Sequence, residues 1–379
     1  MASSLDTPER RALRETVHAF VSREVLPHLD EWERAGEIPR DLHRRAAQAG
    51  LLGIGFADAV GGSGGDALDA LVLTEQILLS GGAGGLVASL LTHGIALPHI
   101  VAAGDPDQVD RFVRPVLAGE AIAALAVTEP DGGSDVAAIR TRAVLDGDHY
   151  VVNGSKTYIT SGMRADYLTT VVRTGEAGHG GLSILVVPSG SAGVSRRALP
   201  KMGWHCSDTA EIGLVDVRVP AANLVGTEGS GFVQVATQFV DERIGLAVQA
   251  YATAQRCLDL TVDWVRRRET FGRPLGSRQV VRHRLVEMHR ATDVARTYVR
   301  DVTARHVAGE DVVAQAALAK NTAVAACDHV VDQAVQLHGG LGYMHGTEVE
   351  RHYRDARILG IGGGATEVMT ELVAARLGW

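Results

Sequence analysis

Ala126-Val127-Thr128-Glu129-Pro130-Asp131-Gly132-Gly133-Ser134-Asp135 sets small residues beside hydroxyls, and Gln336-Leu337-His338-Gly339-Gly340-Leu341-Gly342-Tyr343 does the same near the other end of the chain. Such stretches leave backbone N–H groups uncovered, which suits a loop holding a phosphate or a flavin ring. They lie about 200 residues apart, so one site built from both needs distant segments folded together.

Between them the texture changes twice. From near residue 120 to about 220, short runs rich in Val, Ile, Tyr and Thr alternate with turn pairs. Asp146-Gly147 precedes His149–Val152, Asn153-Gly154 precedes Tyr158–Thr160, and Leu182–Val187 and Ile212–Val219 follow. Before this region, residues 5–35 read as an amphipathic helix, with Leu13, Val17, Phe20, Val21 and Val25 at three- and four-residue steps. Helical patterns continue through 41–52, 67–80 and 86–103, broken by the glycine clusters 61–65 and 81–85. After Gly231 long helices return, with Pro274 and the glycine-rich 339–346 as the main breaks. The order is helical, β, helical.

Composition narrows the function. Hydrophobic content of 46% with 22% charged residues is ordinary for a globular protein, and a net charge of −8 without a basic block argues against a nucleic-acid binder. Only three of the 37 basic residues are lysine: Lys156, Lys201 and Lys320. Cys206, Cys257 and Cys327 are too scattered for a disulfide framework or a zinc site, and His338 and His345 in the glycine-rich region have no histidine partner four residues away, so no metal is expected. Met1 to Arg11 is polar, no apolar run is long enough to span a bilayer, and a cytoplasmic location is the expectation. No G-x-G-x-x-G follows a strand pattern, Gly61–Gly65 lacks the spacing and lysine of a Walker loop, and no G-x-S-x-G is present.

The two opening stretches, with Lys156-Thr157-Tyr158-Ile159-Thr160-Ser161-Gly162 and Arg268-Glu269-Thr270-Phe271-Gly272-Arg273-Pro274-Leu275, resemble signature segments of the acyl-CoA dehydrogenase family of flavoenzymes. The resemblance runs from Glu24-Val25-Leu26-Pro27 to Glu371-Leu372-Val373-Ala374. It implies an α+β fold: an N-terminal α-helical domain (1–120), a middle β domain (121–228) and a C-terminal α-helical bundle (229–379). It also implies FAD between the last two and a homotetramer built from dimers that share flavin sites. Leu125, Val127 and Thr128 would line the isoalloxazine, and Ser134 would contact cofactor or acyl-CoA. Tyr158, Ile159 and Thr160 form a second flavin segment, with the Thr160 hydroxyl toward N5. Arg268 would pair with the pyrophosphate, with Phe271 and Gln279 nearby. Gln336, Gly339 and Gly340 would reach the adenosine half of a neighbouring subunit's flavin, and Glu367 the ribose or adenine side. Asp131 stands where the family commonly has glycine. Without a cofactor the same residues read as a turn, a β-branched strand, a solvated arginine and a tight interhelix turn.

The family removes the proton α to a thioester while hydride leaves the β carbon, which demands a carboxylate aimed at a weak carbon acid in a dry pocket. In many members that glutamate lies in a late loop, and here the matching segment Ile361-Gly362-Gly363-Gly364-Ala365-Thr366-Glu367 puts Gly363 at its position. The long-chain and isovaleryl types carry it on a helix, matched by Phe239-Val240-Asp241-Glu242-Arg243-Ile244-Gly245-Leu246. On a helical wheel Val235, Phe239 and Leu246 share an apolar arc, with Glu242 at its margin and Arg243 inside it. The wheel alone is satisfied by a structural ion pair or by a glutamate turned outward from the edge of the arc; with Gly363 bare, Glu242 is the expected base. The resemblance gives the Gly363 N–H the thioester carbonyl, and Ser134, Arg243 and Gly364 substrate contacts. The implied reaction is α,β-dehydrogenation of an acyl-CoA to a trans-2-enoyl-CoA, with electrons passing to an electron-transfer flavoprotein. Two alternatives stand beside it: a non-catalytic subunit of a heterotetramer, suggested by the missing late-loop glutamate, and a flavin-dependent acyl-CoA oxidase or monooxygenase.

Overall fold

A computed structural model describes residues 5–379, so the first four residues of the N-terminal expectation lie outside the described residues. The expected helix over 5–35 is divided. Pro8–Phe20 is α-helical, with Thr7 accepting from the Arg10 N–H and Pro8 in the first turn. One wide turn, Val21–Val25, follows, and a second helix spans Leu29–Ala35. Pro27 lies between them, and with no N–H to donate it cannot continue the ladder. Helices Arg40–Gln48, Ala67–Leu79, Gly84–Leu90 and Pro98–Ala103 come next.

Eight strands then form one sheet: β1 (Ala123–Ala126), β2 (Arg142–Asp146), β3 (His149–Thr160), β4 (Tyr167–Arg173), β5 (Leu182–Pro188), β6 (Val194–Ala198), β7 (Thr209–Pro220) and β8 (Leu224–Val225). Their order is β6-β7-β3-β2-β4-β5-β8, with β1 running parallel to β4. Asp146-Gly147 closes the β2–β3 hairpin, where Asp146 opposes His149. Asn153-Gly154, read as a turn, lies within β3 and marks a register shift against β7. A β carbon at Gly154 would stand 2.5 Å from the Thr141 hydroxyl, so glycine admits the neighbouring chain rather than a chain reversal.

Alternation along the strands feeds two cores. Val171, Ile184 and Val186 pack toward the helical residues Ile100, Phe112 and Val113. Leu168, Val172, Leu185 and Val187 pack with Tyr150, Val152, Ile212 and Leu214 of β3 and β7. After the sheet, long helices Gly231–Arg267, Gln279–Val307 and Val313–His338 form a bundle closed by Glu348–Ala356 and Thr366–Leu377. The apolar faces of the first four share one core with the N-terminal helices, while Met369 and Val373 of the last pack in a small cluster with Ala317. Among the described residues no single helix is long and apolar enough to cross a membrane.

Asp355 ties the three regions together. One carboxylate oxygen accepts the Trp204 N–H at 2.6 Å, and the other accepts the Gly84 N–H at 3.1 Å, in the interior. Asp355→Ala strands two buried donors, at about 1–3 kcal/mol each. Urea denaturation is expected to show a loss of about 2–4 kcal/mol, and a loss under ~1 kcal/mol would contradict this role.

Candidate functional site

The first glycine-rich loop leaves β1 and is held by a buried ion pair. Lys156 of β3, fully buried, donates to the Val127 carbonyl at 3.0 Å and to Glu129 at 2.8 Å. Glu129 accepts the Arg140 and Thr141 N–H groups at 2.7 and 2.8 Å, closing the loop across eleven and twelve residues. Burial alone would raise the Glu129 carboxyl, but Lys156 and those donors outweigh it and hold it below the usual carboxylate range. Burial pulls the Lys156 amine down to about 8. The Thr157 N–H donates to the Thr128 carbonyl at 2.9 Å, so the two expected flavin segments are brought together.

With the loop fixed from behind, its outer groups are free. Among the described residues the hydroxyls of Thr128, Ser134 and Thr160 have no protein partner. Tyr158 stands 71% exposed at φ +58° in the β3 irregularity between Lys156 and Ile159. A left-handed conformation at an exposed aromatic costs about 1–3 kcal/mol, and such strain gathers at functional sites. Ile159 points its side chain into the core, opposite Ala210 of β7, and its carbonyl accepts the Gly162 N–H at 3.1 Å. Leu125 and Val127 are half-buried against the helical side of the sheet. Asp131 is accounted for at the surface, where it pairs with Arg140 at 3.1 Å.

The C-terminal candidates gather at one end of the bundle. Arg268 lies over the Trp264 ring at 5.8 Å, exposed and paired with no carboxylate among the described residues. A two-residue ladder, Glu269–Thr270 with Arg273–Pro274, puts Phe271 at its tip with φ +52° and 96% exposure. Gln279 begins the next helix, exposed. Trp264 also donates to the Leu337 carbonyl at 3.1 Å and stacks on His338 at 5.2 Å, which brings Gln336, Gly339 and Gly340 to the same end. A β carbon at Gly339 or Gly340 would touch nothing in this chain within 4 Å. Gly339 needs its φ of +62°, whereas Gly340 has neither reason, which fits room kept for a ligand or a second chain. No hydrogen bond or ion pair joins this end to the β-domain loop among the described residues. Unpartnered hydroxyls, strained exposed aromatics and a free guanidinium fit a flat ring system carrying a pyrophosphate.

The late loop and the long helix meet at one point. Gly363, at φ +61°, lies against the Glu242 carboxyl: a methyl group on it would stand 3.3 Å from Oε1. The same methyl would stand 2.3 Å from the end of Leu246. Glu242 is partly buried, and burial raises its carboxyl above the usual range despite the opposing charges of Arg243 and Lys320. Arg243 is buried, its guanidinium 5.6 Å over the Phe239 ring and its Nε unpartnered. Gly364 completes the loop, and Glu367 is exposed on the last helix without a side-chain partner among the described residues. Gly363→Ala forces Leu246 to swing aside and a side chain into the left-handed region. Turnover is expected to fall about tenfold with about 1–2 kcal/mol of stability lost, and wild-type turnover would show that the contact is unimportant.

Lys156 and Lys320 were not assigned from sequence as members of the site. The available signal was thin: Lys320 is a lone lysine among alanines, whereas Lys156 stands beside Gly154, Ser155 and Thr157.

Profiles of the acyl-CoA dehydrogenase N-terminal, middle and C-terminal domains match residues 7–120, 124–217 and 229–378. The long-chain specific acyl-CoA dehydrogenase of Sus scrofa mitochondria is 36% identical over 373 residues, covering 97% of this chain and 86% of its own. A probable acyl CoA dehydrogenase from Mycobacterium abscessus superposes with a TM-score of 0.98 at 62% identity, covering 99% of this chain and 100% of its own. The acyl-CoA dehydrogenase of Bacillus anthracis complexed with FAD superposes at 0.91 and 28% identity, covering 98% and 67%.

Proposed function

The chain belongs to the acyl-CoA dehydrogenase family, an FAD-dependent oxidoreductase family, and from that premise we propose that Glu242 is the base that removes the α proton of a bound acyl-CoA. One observation carries this reading. Gly363, the late-loop position that lacks a side chain, abuts the carboxyl supplied by the long helix, so a base from either element would work in the same space. Bound FAD supplies the hydride acceptor for the β carbon. Leu125, Val127, Thr128, Tyr158, Ile159 (through its backbone) and Thr160 hold its ring. Arg268, Phe271, Gln279 and Glu367 hold its phosphates and adenosine, joined by Gln336, Gly339 and Gly340 from a partner in a homotetramer.

Gly363 offers its N–H to the thioester carbonyl, where negative charge gathers as the α proton leaves. Ser134, Arg243 and Gly364 orient the thioester. Partial burial raises the proton affinity of Glu242 toward that of the carbon acid and keeps water from competing. Electrons leave to an electron-transfer flavoprotein, and the enzyme works in the cytoplasm. Anaerobic titration of the yellow protein with acyl-CoAs of graded length and branching tests the reading. Bleaching by a subset, with enoyl-CoA formed in equal amount, is expected. A colourless protein would instead favour a non-catalytic subunit, and rapid peroxide formation in air an oxidase.

A further inference from the structure

Lys320 is fully buried in the middle of the Val313–His338 helix and has no carboxylate within ion-pair distance among the described residues. Its amine donates to the Gly362 carbonyl at 2.7 Å and to the Gly364 carbonyl at 2.5 Å, the two peptides that bracket Gly363. We propose that Lys320 is a positioning residue for the reaction: it clamps both flanks of Gly363 so that the N–H is aimed, and its charge stands behind Glu242 to favour the carboxylate. This rests on the reading of Glu242 as base.

Two carbonyls need only donors, and a neutral amide can supply them. Burying an ammonium costs several kcal/mol, so a cation kept here implies that its charge is used. The groups facing it are Glu242 and Arg243 of the long helix; Glu367 of the last helix points to solvent. Burial, the larger effect, pulls the amine down to about 8, with Glu242 opposing that fall and Arg243 adding to it. At that value most of the Lys320 amine carries its charge at pH 7. The sign follows directly: a nearby cation lowers the proton affinity of Glu242, so removing it moves the pH at which the base becomes active upward.

The test compares Lys320→Met, which loses donors and charge, with Lys320→Gln, which keeps a donor, in the FAD-loaded enzyme. Flavin reduction by an acyl-CoA is followed against pH, and amide hydrogen exchange is followed in the peptide containing 361–366. Lys320→Met is expected to reduce flavin at least ~10-fold more slowly at neutral pH, a fraction of the ~10²–10³ lost when an aimed donor is removed outright. Its acid limb should move up by about one pH unit, and the 361–366 amides should exchange faster. Lys320→Gln should regain much of the exchange protection yet keep the shifted limb. An unmoved limb in both variants, or unchanged exchange in Lys320→Met, overturns the proposal. If Lys320→Met does not fold, the limb in Lys320→Gln decides alone. Glu242→Gln belongs in the same series: if it reduces flavin like wild type the base reading fails, while the exchange data still report whether Lys320 holds the loop.

Discussion

Glu242→Gln is expected to leave a folded, yellow protein whose flavin an acyl-CoA no longer bleaches at a measurable pace. The amide fills the same space beside Gly363 and Leu246, so the helix, the loop and the FAD sites stay as they are. It cannot accept the α proton. General-base contributions of about 10²–10⁴ set the minimum loss in the rate of flavin reduction. Because burial outweighs Arg243 and Lys320 and raises the Glu242 carboxyl, the wild-type rate should climb with pH through a point above the ordinary carboxylate range. The variant should show no such limb. Stopped-flow reduction across pH 5–9 would check both, and a variant within about threefold of wild type would remove Glu242 from the mechanism.

Lys156→Met should do the greatest damage to the fold and to FAD retention. It leaves Glu129 buried without its cation and the Val127 carbonyl without its donor, at the root of the loop that carries Thr128 and Ser134. Breaking one side of a buried ion pair costs about 3–5 kcal/mol. Two measurements separate this from general damage. Urea denaturation of the flavin-free protein should show that loss, and the FAD-to-protein ratio after purification should fall well below one per chain. Adding Glu129→Gln should recover part of the stability, since the stranded charge is then gone. A Lys156→Met protein with wild-type stability and full FAD would show that the pair is ornamental.

The helical, β, helical order was legible because hydrophobic period and turn pairs change near residues 120 and 231. Strands β4 and β6 were not foreseen, for opposite reasons. Tyr167–Arg173 is buried on both faces, so it shows no alternation, whereas Val194–Ala198 lies at the sheet edge and is mostly exposed. Asn153-Gly154 has the composition of a turn, yet the glycine is needed where Thr141 crosses close by, a contact that local sequence does not carry. Within the site, Glu242 at the margin of an apolar arc and Gly363 bare in its loop could both be read. Their adjacency could not, because it joins positions 121 residues apart in sequence. The two lysine clamps escaped for the same reason. A lysine in an apolar helix or strand announces a buried amine, but only the fold shows which carbonyls it ties.

Proton removal can be isolated from hydride transfer with an acyl-CoA whose β carbon is replaced by oxygen or sulfur, since such a thioester has an acidic α position and no hydride to give. In deuterium oxide, nuclear magnetic resonance would follow loss of its α-proton signal in the presence of wild-type and Glu242→Gln protein. Rapid exchange by wild type and none above the protein-free rate by the variant is the expected result. Equal exchange by both would contradict the central claim and send the search for the base elsewhere in the site.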